Sequence, residues 1–322
     1  MTDVTTNTNV VDKRRIKRIK NKFYDTGTSN KSFLQVAKDL KRLGIKKFYF
    51  MLEIYDITLI DVDPRSPNLT RDQISRIMTE CTRNIWYYLR EIARIPSQGG
   101  VPVPFRANRG NIAQTWCILH GIDSWLCLPR QQGKTESLLC VLTWAYSFGT
   151  NDSTFIFINK DSGNAKQNLQ RVKDQIDCLP EYLRFEQTLE EDSNGKVKIV
   201  KATKNATSMK HPITNNKIIV KPKATSYESA LSLARGMTAP ILHFDEPEFT
   251  NHIKTIVENS VSTFETASRN AKANGALYGR CFSCTPKINH WAYISVMIFS
   301  KTSLIAGNFS FIWNVYIFIY AR

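Results

Sequence analysis

From Ser32 onward, apolar residues recur at three- and four-residue steps: Phe33, Val36, Ala37, Leu40 and Leu43, closed by Gly44. That period predicts an amphipathic helix. A second helical stretch is expected from about Arg71 to Ile95, behind the cap-like Asn68 and Thr70 and ended by Pro96. The segment Pro96–Pro104, PSQGGVPVP, has linker composition and marks a subdomain boundary. Beyond it the pattern changes. Short apolar runs at Ser124–Leu128, Thr154–Asn159, Ile241–Phe244 and Tyr278–Ser283 read as strands. Between them Glu136–Ser147, Asn164–Cys178 and His252–Ala267 read as helices; the middle one carries Leu169, Val172 and Ile176 on one face and stops at Leu179-Pro180. Lys196–Lys201 and Lys217–Val220 read as a polar-faced hairpin around Asn215-Asn216. Alternation of this kind predicts an α/β fold, a mainly parallel sheet flanked by helices, preceded by a small helical N-terminal subdomain.

The first 30 residues are polar and hold a basic cluster: Lys13, Arg14, Arg15, Lys17, Arg18, Lys20 and Lys22. Two readings fit a flexible basic arm. It is a solvated tail, or it neutralises phosphates. The expected layout is therefore an arm over 1–30, a helical subdomain and linker over 31–104, an α/β domain over 105–313, and an abrupt end over 314–322.

Composition sharpens this in three ways. In 322 residues, 44 Lys+Arg against 28 Asp+Glu leave a net charge of +16, which points to a polyanionic partner. A hydrophobic fraction of 42% excludes wholesale disorder. The seven cysteines have no framework spacing and read as reduced core thiols; Cys281 and Cys284 form one CxxC with no second pair, which argues against zinc. The opening MTDVTTNTNV has no apolar signal core. The tail Ser303–Ala321 is apolar but interrupted by Asn308 and Asn314, which favours a last strand near Asn308–Trp313 over a membrane span.

The most specific segment is Leu128-Pro-Arg-Gln-Gln-Gly-Lys-Thr135, between a strand and a helix. It ends as a phosphate-binding loop ends, although Leu128 stands where GxxxxGK[ST] has its first Gly. There the backbone of Gln131, Gln132 and Gly133 would close around a phosphate. Lys134 would reach the β/γ oxygens, the Thr135 hydroxyl would ligate Mg²⁺, and the helix start would add its partial positive charge. The second element is Ile241-Leu-His-Phe-Asp245-Glu246, an apolar strand ending in two acids. Asp245 is placed to hold the Mg²⁺ shell and Glu246 to orient or deprotonate a water. His243 in mid-strand reads as a core or half-exposed residue. The third is Phe282-Ser-Cys-Thr285-Pro286 at a strand end, where small hydroxyls can sense a γ-phosphate. Together these resemble the elements of a P-loop NTPase of the RecA-like, ASCE kind, which is the fold class expected.

The order and spacing of Arg130-Gln-Gln-Gly-Lys-Thr135, Gln175-Ile-Asp-Cys-Leu-Pro-Glu-Tyr-Leu183, Ala234-Arg-Gly236, Asp245-Glu246 and Ser283-Cys-Thr-Pro286 resemble the ATPase part of the large terminase subunit of tailed bacteriophages, over roughly Phe105 to Trp313. That family also carries an Arg in its first loop, in line with the departure at Leu128. The resemblance implies ATP and Mg²⁺ as cofactors, Lys134 and Thr135 on phosphate and metal, Asp245 on Mg²⁺, and Glu246 as the catalytic carboxylate. It implies Arg130 as a stabiliser of transition-state charge and Ser283, Cys284 and Thr285 as the coupling segment. Gln114 is the candidate adenine reader, with Phe105 or Trp116 stacking; a helix-surface glutamine fits it equally. Arg235 is the candidate for an arginine acting on a neighbour's nucleotide; a loop anchor fits it equally.

The function implied is an ATP-driven motor moving double-stranded viral DNA into a procapsid. The implied partners are the portal protein, a small terminase subunit and further copies in a ring, in the host cytoplasm and transiently on the procapsid, with no membrane. The family's nuclease half is expected to be missing, because no Asp or Glu follows Pro286. Two rivals stand beside this: a helicase-type DNA translocase, and a non-catalytic nucleic-acid-binding fragment.

Overall fold

The computed structural model describes residues 15–97, 99–128, 131–191, 196–285 and 316–320. The chain divides into two compact units, one of residues 1–92 with 104–108, the other of 93–103 with 109–322.

The N-terminal unit begins with a ribbon of β1 (Ile16–Ile19) and β2 (Lys22–Asp25), antiparallel, followed by α1 (Lys31–Arg42). A short β3 (Glu53–Ile54) pairs with β2 to complete a three-stranded sheet. The expected arm over 1–30 is therefore folded from residue 15 onward, because Lys22 pairs with Glu53 at 2.5 Å and Arg15 with Asp61. Lys13 and Arg14 lie outside the described residues. The long helix expected over Arg71–Ile95 is instead α2 (Arg71–Arg83), capped by a reciprocal Thr70–Gln73 box. Asn84 ends it: its side chain accepts from the N–H groups of Trp86 and Tyr87 at 3.0 and 3.2 Å and starts a new short turn. A local side-chain acceptor competes with helix continuation here. The core is Phe33, Met51, Leu52, Ile77 and Cys81, each fully buried.

The second unit carries the α/β fold that the sequence predicts. In chain order it runs α3 (Arg109–Leu119), β4 (Asp123–Cys127), α4 (Lys134–Trp144), β5 (Thr154–Asn159), α5 (Ser162–Asp177), β6 (Gln187–Glu191), β7 (Val197–Lys201), β8 (Thr203–Lys204), β9 (Ser208–Lys210), β10 (Lys217–Pro222), α6 (Tyr227–Arg235), β11 (Ile241–Asp245), α7 (Ile253–Ala273), β12 (Gly279–Cys284) and β13 (Tyr316–Tyr320). The main sheet has the order β8-β9-β10-β5-β11-β12-β4-β13. Its five central strands, β10 through β4, are parallel. Both outer sides are antiparallel, with β13 on β4 at one edge.

The hairpin expected from Lys196–Lys201 to Lys217–Val220 is built differently. Val197–Lys201 pairs with Gln187–Glu191 in a separate ribbon, while β10 turns around Asn215-Asn216 onto Ser208–Lys210. Asn216 explains the turn. Fully buried, its amide donates to the carbonyls of Tyr146 and Thr150 at 2.9 and 2.6 Å, and its Oδ1 accepts from the Ser153 N–H. The terminal strand is seen at Tyr316–Tyr320; Asn308–Trp313 lies outside the described residues.

Register is fixed by rings. Phe282 on β12 sits opposite Trp125 on β4 and Phe244 on β11, and the three stack nearly parallel, at 5.0 and 4.8 Å between centroids. With Ile156, Ile158, Leu242, Phe264 and Met237 they fill the core on one face. Slipping any of these strands by one residue would turn its rings to the other face. The carboxyl ends of β4, β5, β11 and β12 thereby meet along one edge, where open parallel sheets bind ligands.

Candidate nucleotide site

Gly133 is left-handed, at φ 70°, and caps α4 without any side-chain hydrogen bond. Gln131 before it is left-handed too, at φ 62°. The Gln131–Gly133 segment is exposed at the start of α4. A loop of this conformation before a helix start can receive an anion. Gly133 has open space where a Cβ would stand, so its need is conformational and not steric. Arg130 lies outside the described residues.

Lys134 is 8% exposed, and its ammonium donates to Thr285 Oγ1 at 2.7 Å. Thr285 Oγ1 is in turn 3.4 Å from Glu246 Oε1. Thr135 donates to Asp245 Oδ1 at 3.4 Å. The glycine-loop residues, the two acids and the hydroxyls of β12 thus form one cluster, though they come from three separate stretches of sequence.

Asp245 is held from several sides. Ser283 donates to its Oδ1 at 3.0 Å, and the Asn168 amide approaches its Oδ2 at 3.5 Å while also donating to Asn159 at 2.7 Å. Behind Ser283, His243 Nε2 lies 3.0 Å from the Ser283 hydroxyl. A carboxylate only accepts, so Ser283 spends its proton on Asp245 and His243 must donate from Nε2. Burial holds His243 down at about 4, so the ring is neutral and fits that role. The histidine is core, 1% exposed.

Glu246 sits at φ 49°, a conformation that a non-glycine residue adopts only when its surroundings impose it. Its N–H donates to the Ser283 carbonyl at 2.8 Å, and Lys160, just past the end of β5, lies 3.4 Å from its Oε2. Two residues on, both carboxylate oxygens of Glu248 are buried, and burial raises that group above the usual range.

The remaining expected residues fall elsewhere. Strand alternation turns Cys284 to the ring face, away from Ser283 and Thr285. There it forms a disulfide with Cys127, over a Cα separation of 5.0 Å, and accepts from the Trp125 indole. This corrects the reading of every cysteine as a free thiol: β4 and β12 are neighbours, and their last residues face each other. Gln114 is buried on α3, not on a helix surface, and its Oε1 accepts from Ser137 on α4 at 3.3 Å. Trp116 stacks on His120 at 4.1 Å, and Phe105, in the N-terminal unit, packs on Phe33. Arg235 is exposed in the last turn of α6. Sequence reasoning does not single out Lys160, Asn168 or Glu248. Lys160 carries a weak signal, a lysine directly after a buried strand; Asn168 and Glu248 carry none.

The donor set of Thr135 Oγ1 and the Asp245 carboxylate suits Mg²⁺, a hard cation that takes few protein oxygens and completes its shell with phosphate and water. When bound, Mg²⁺ neutralises charge on β/γ-phosphate oxygens. Among the described residues no group of three or more His, Cys, Asp or Glu gathers as a metal cage. No described helix is long and apolar enough to cross a membrane.

The class defined here is an α/β fold with a parallel central sheet and a glycine loop at a helix start beside a strand-end acid pair. No family model matches the chain, and no curated protein matches it. Solved structures do. The chain is similar to the large terminase ATPase domain of Thermus phage P74-26, at 17% identity and a TM-score of 0.36 over 59% of this chain and 69% of that one. It is similar to the large terminase of bacteriophage HK97, at 13% identity and a TM-score of 0.40 over 71% of this chain and 42% of that one. It is also similar to the large terminase of a thermophilic bacteriophage in complex with ADP, at 15% identity and a TM-score of 0.34, over 55% of this chain and 39% of that one.

Proposed function

We propose that this chain is an ATP-hydrolysing motor subunit of the large-terminase kind, which moves double-stranded viral DNA into a procapsid. The observation that carries the reading is the convergence of Lys134, Thr135, Asp245, Glu246 and Thr285 at one edge of the sheet. A lysine, a hydroxyl and two strand-end acids around a helix start are the parts that positioning a nucleotide phosphate, its Mg²⁺ and an attacking water requires. In this reading Lys134 binds the β/γ-phosphates, Thr135 and Asp245 hold Mg²⁺, and Glu246 orients the attacking water. Gln131, Gln132 and Gly133 wrap the phosphates, and Gln114 supports α4 from behind rather than reading adenine from an exposed face. Arg130 and Arg235 are the proposed charge stabilisers, the second acting across a ring of copies. The portal protein, a small terminase subunit and the host cytoplasm complete the proposal.

The test is ATP turnover by the purified chain with Mg²⁺. Lys134→Ala is expected to remove nucleotide binding. Glu246→Gln is expected to keep binding and lower turnover by about 10²-fold or more. Near-normal turnover in the Gln variant would falsify the assignment. Strand unwinding by the chain alone would favour a helicase-type translocase, and no turnover at all would favour a non-catalytic nucleic-acid-binding fragment.

A further inference from the structure

The N-terminal unit carries a second feature that the nucleotide site does not use. Lys17 on β1 lies 4.5 Å from the centre of the Tyr49 ring and donates to its hydroxyl at 3.3 Å. Tyr49 packs on Phe48 at 4.1 Å and on Tyr24 of β2 at 5.9 Å. Lys41, at the end of α1, lies 5.9 Å from the Phe48 ring. One connected patch therefore joins the ribbon, the last turn of α1 and the segment after Gly44. Lys46 and Lys47 stand exposed in that segment, and Lys20 stands exposed at the ribbon turn.

The carboxylates nearby are already taken. Glu53 pairs with Lys22 at 2.5 Å and Asp39 with Arg42 at 3.6 Å. Lys17, Lys20, Lys41, Lys46 and Lys47 form no ion pair among the described residues. Uncompensated cations repel one another, and a patch of them costs stability unless an anion meets it. The rings decide which anion chemistry fits. Bases of a single strand need bare aromatic faces to stack on. Here Lys17 covers Tyr49, Phe48 packs against Tyr49, and Lys41 flanks Phe48. The rings act as struts that fix the ammonium groups in place, and what remains on offer is positive charge.

We infer that this patch is a docking surface for the phosphate backbone of duplex DNA, read without regard to sequence. The choice of DNA rests on the motor reading above; the phosphate chemistry does not. A duplex presents about one charge per 1.7 Å, a dense array of anions that a cluster of uncompensated ammonium groups, two of them held against rings, can meet. The patch is separate in sequence and in fold from the nucleotide cradle, so the two can be tested apart.

The experiment measures binding of a fluorescein-labelled random duplex to the full chain by anisotropy, across a salt series. The variants are Lys46→Ala with Lys47→Ala, and Lys17→Ala with Lys41→Ala. Lys46 and Lys47 are exposed, so the first pair leaves the fold intact, and the second is checked by its melting curve. Each double variant is expected to weaken binding several-fold at ~100 mM salt and to flatten the slope of log K against log salt by about 1 to 2, at ~0.9 per lost phosphate contact. An unchanged slope and affinity in both would overturn the inference, as would a loss confined to single-stranded DNA. A protein partner for the patch would show as unchanged DNA binding, which also overturns it. DNA-independent ATP turnover separates this from the motor reading. Normal turnover with an unchanged slope sinks the patch alone. A flattened slope in a chain without turnover supports the patch and sinks the motor.

Discussion

The β4–β12 pair is held very differently at its two ends. At its beginning, Asp123 accepts from the Arg280 backbone N–H at 2.8 Å and from the guanidinium at 3.0 and 2.6 Å, and the same guanidinium lies 5.1 Å from the Phe264 ring. Both side chains are nearly buried, at 15% and 10% exposed. Beside its other end, which the Cys127–Cys284 disulfide closes, the Thr285 hydroxyl and the Lys160 ammonium each lie 3.4 Å from the Glu246 carboxylate, and Thr135 lies 3.4 Å from Asp245. The first end is saturated by charge-assisted bonds: two guanidinium N–H groups converge on Asp123 Oδ2 while the backbone N–H takes Oδ1, which leaves nothing to exchange. At the second, the side-chain contacts of Glu246 are long and partial, open to replacement by an incoming phosphate, metal or water, while Asp245 keeps its 3.0 Å bond from Ser283. The ion pair thus fixes register at one end, while beside the other end the side chain of Glu246 is left loosely held where chemistry is proposed.

Substitutions can break this contrast. The largest effect is expected at the saturated end. Asp123→Ala strands a buried guanidinium, and thermal or urea unfolding should show a loss of about 3–5 kcal/mol. A loss under ~1 kcal/mol would mean that the ring stack, and not the ion pair, fixes the register. At the other end the effects should fall on turnover and metal demand, together with about 1–3 kcal/mol of stability where Ser283→Ala leaves the buried His243 Nε2–H without its acceptor. Ser283→Ala removes the 3.0 Å bond to Asp245. A hydrogen bond to a charged group is worth about 1.5–3 kcal/mol, so the Mg²⁺ concentration for half-maximal ATPase activity should rise about tenfold or more. An unchanged Mg²⁺ curve would mean that Asn168 and Thr135 suffice.

Lys160→Met comes next. This half-exposed pair is worth about 0.2–1 kcal/mol, so turnover should fall about two- to fivefold while nucleotide affinity stays put. A drop in affinity instead would make Lys160 a phosphate contact.

A further effect, read on stability and not on turnover, is one of pH. His211 accepts from the N–H groups of Ile213 and Thr214 at Nδ1, at 3.2 and 3.0 Å, which requires the neutral ring. Burial lowers it from 6.5 to about 4. The unfolded chain therefore binds a proton that the folded chain refuses between those values. Stability is fully present above pH 6.5 and falls as the pH drops towards 4. His211→Asn should lose this one-proton dependence in a melting series from about pH 7 to 4. An equal slope in both proteins would rule His211 out as its source.

How much of this is legible in the sequence follows from where each signal lies. The cradle, the acid pair and the hydroxyl segment are readable because each sits within a few consecutive residues, and strand–helix alternation sets them on one sheet. The partners that hold them are not. Lys160 reaches Glu246 across 86 positions, and Asn168 reaches Asp245 across 77. The Cys127–Cys284 disulfide spans 157. Such pairings depend on strand order, which local pattern does not carry. The helix over Arg71–Ile95 reads too long because Asn84 acts through its side chain on the backbone, against an apolar periodicity that continues past it. The ribbon at residues 16–25 escapes the pattern because its few apolar residues are diluted by lysines and arginines, and β3, which completes its sheet, lies about 30 residues downstream.

The alternation along β12 has a consequence for how this sequence can drift over evolutionary time. Ser283 and Thr285 face the acids while Phe282 and Cys284 face the rings. The interval between the two hydroxyls is set by strand pitch, about 6.6 Å for two residues. Letters here are negotiable: a threonine for Ser283 or a small apolar residue for Cys284 keeps both faces. Spacing is not. One residue gained or lost between 282 and 285 would swap the faces, bury a hydroxyl among rings and deprive Asp245 or Glu246 of its contact. Relatives should therefore vary freely in spelling at this strand end and hardly at all in length.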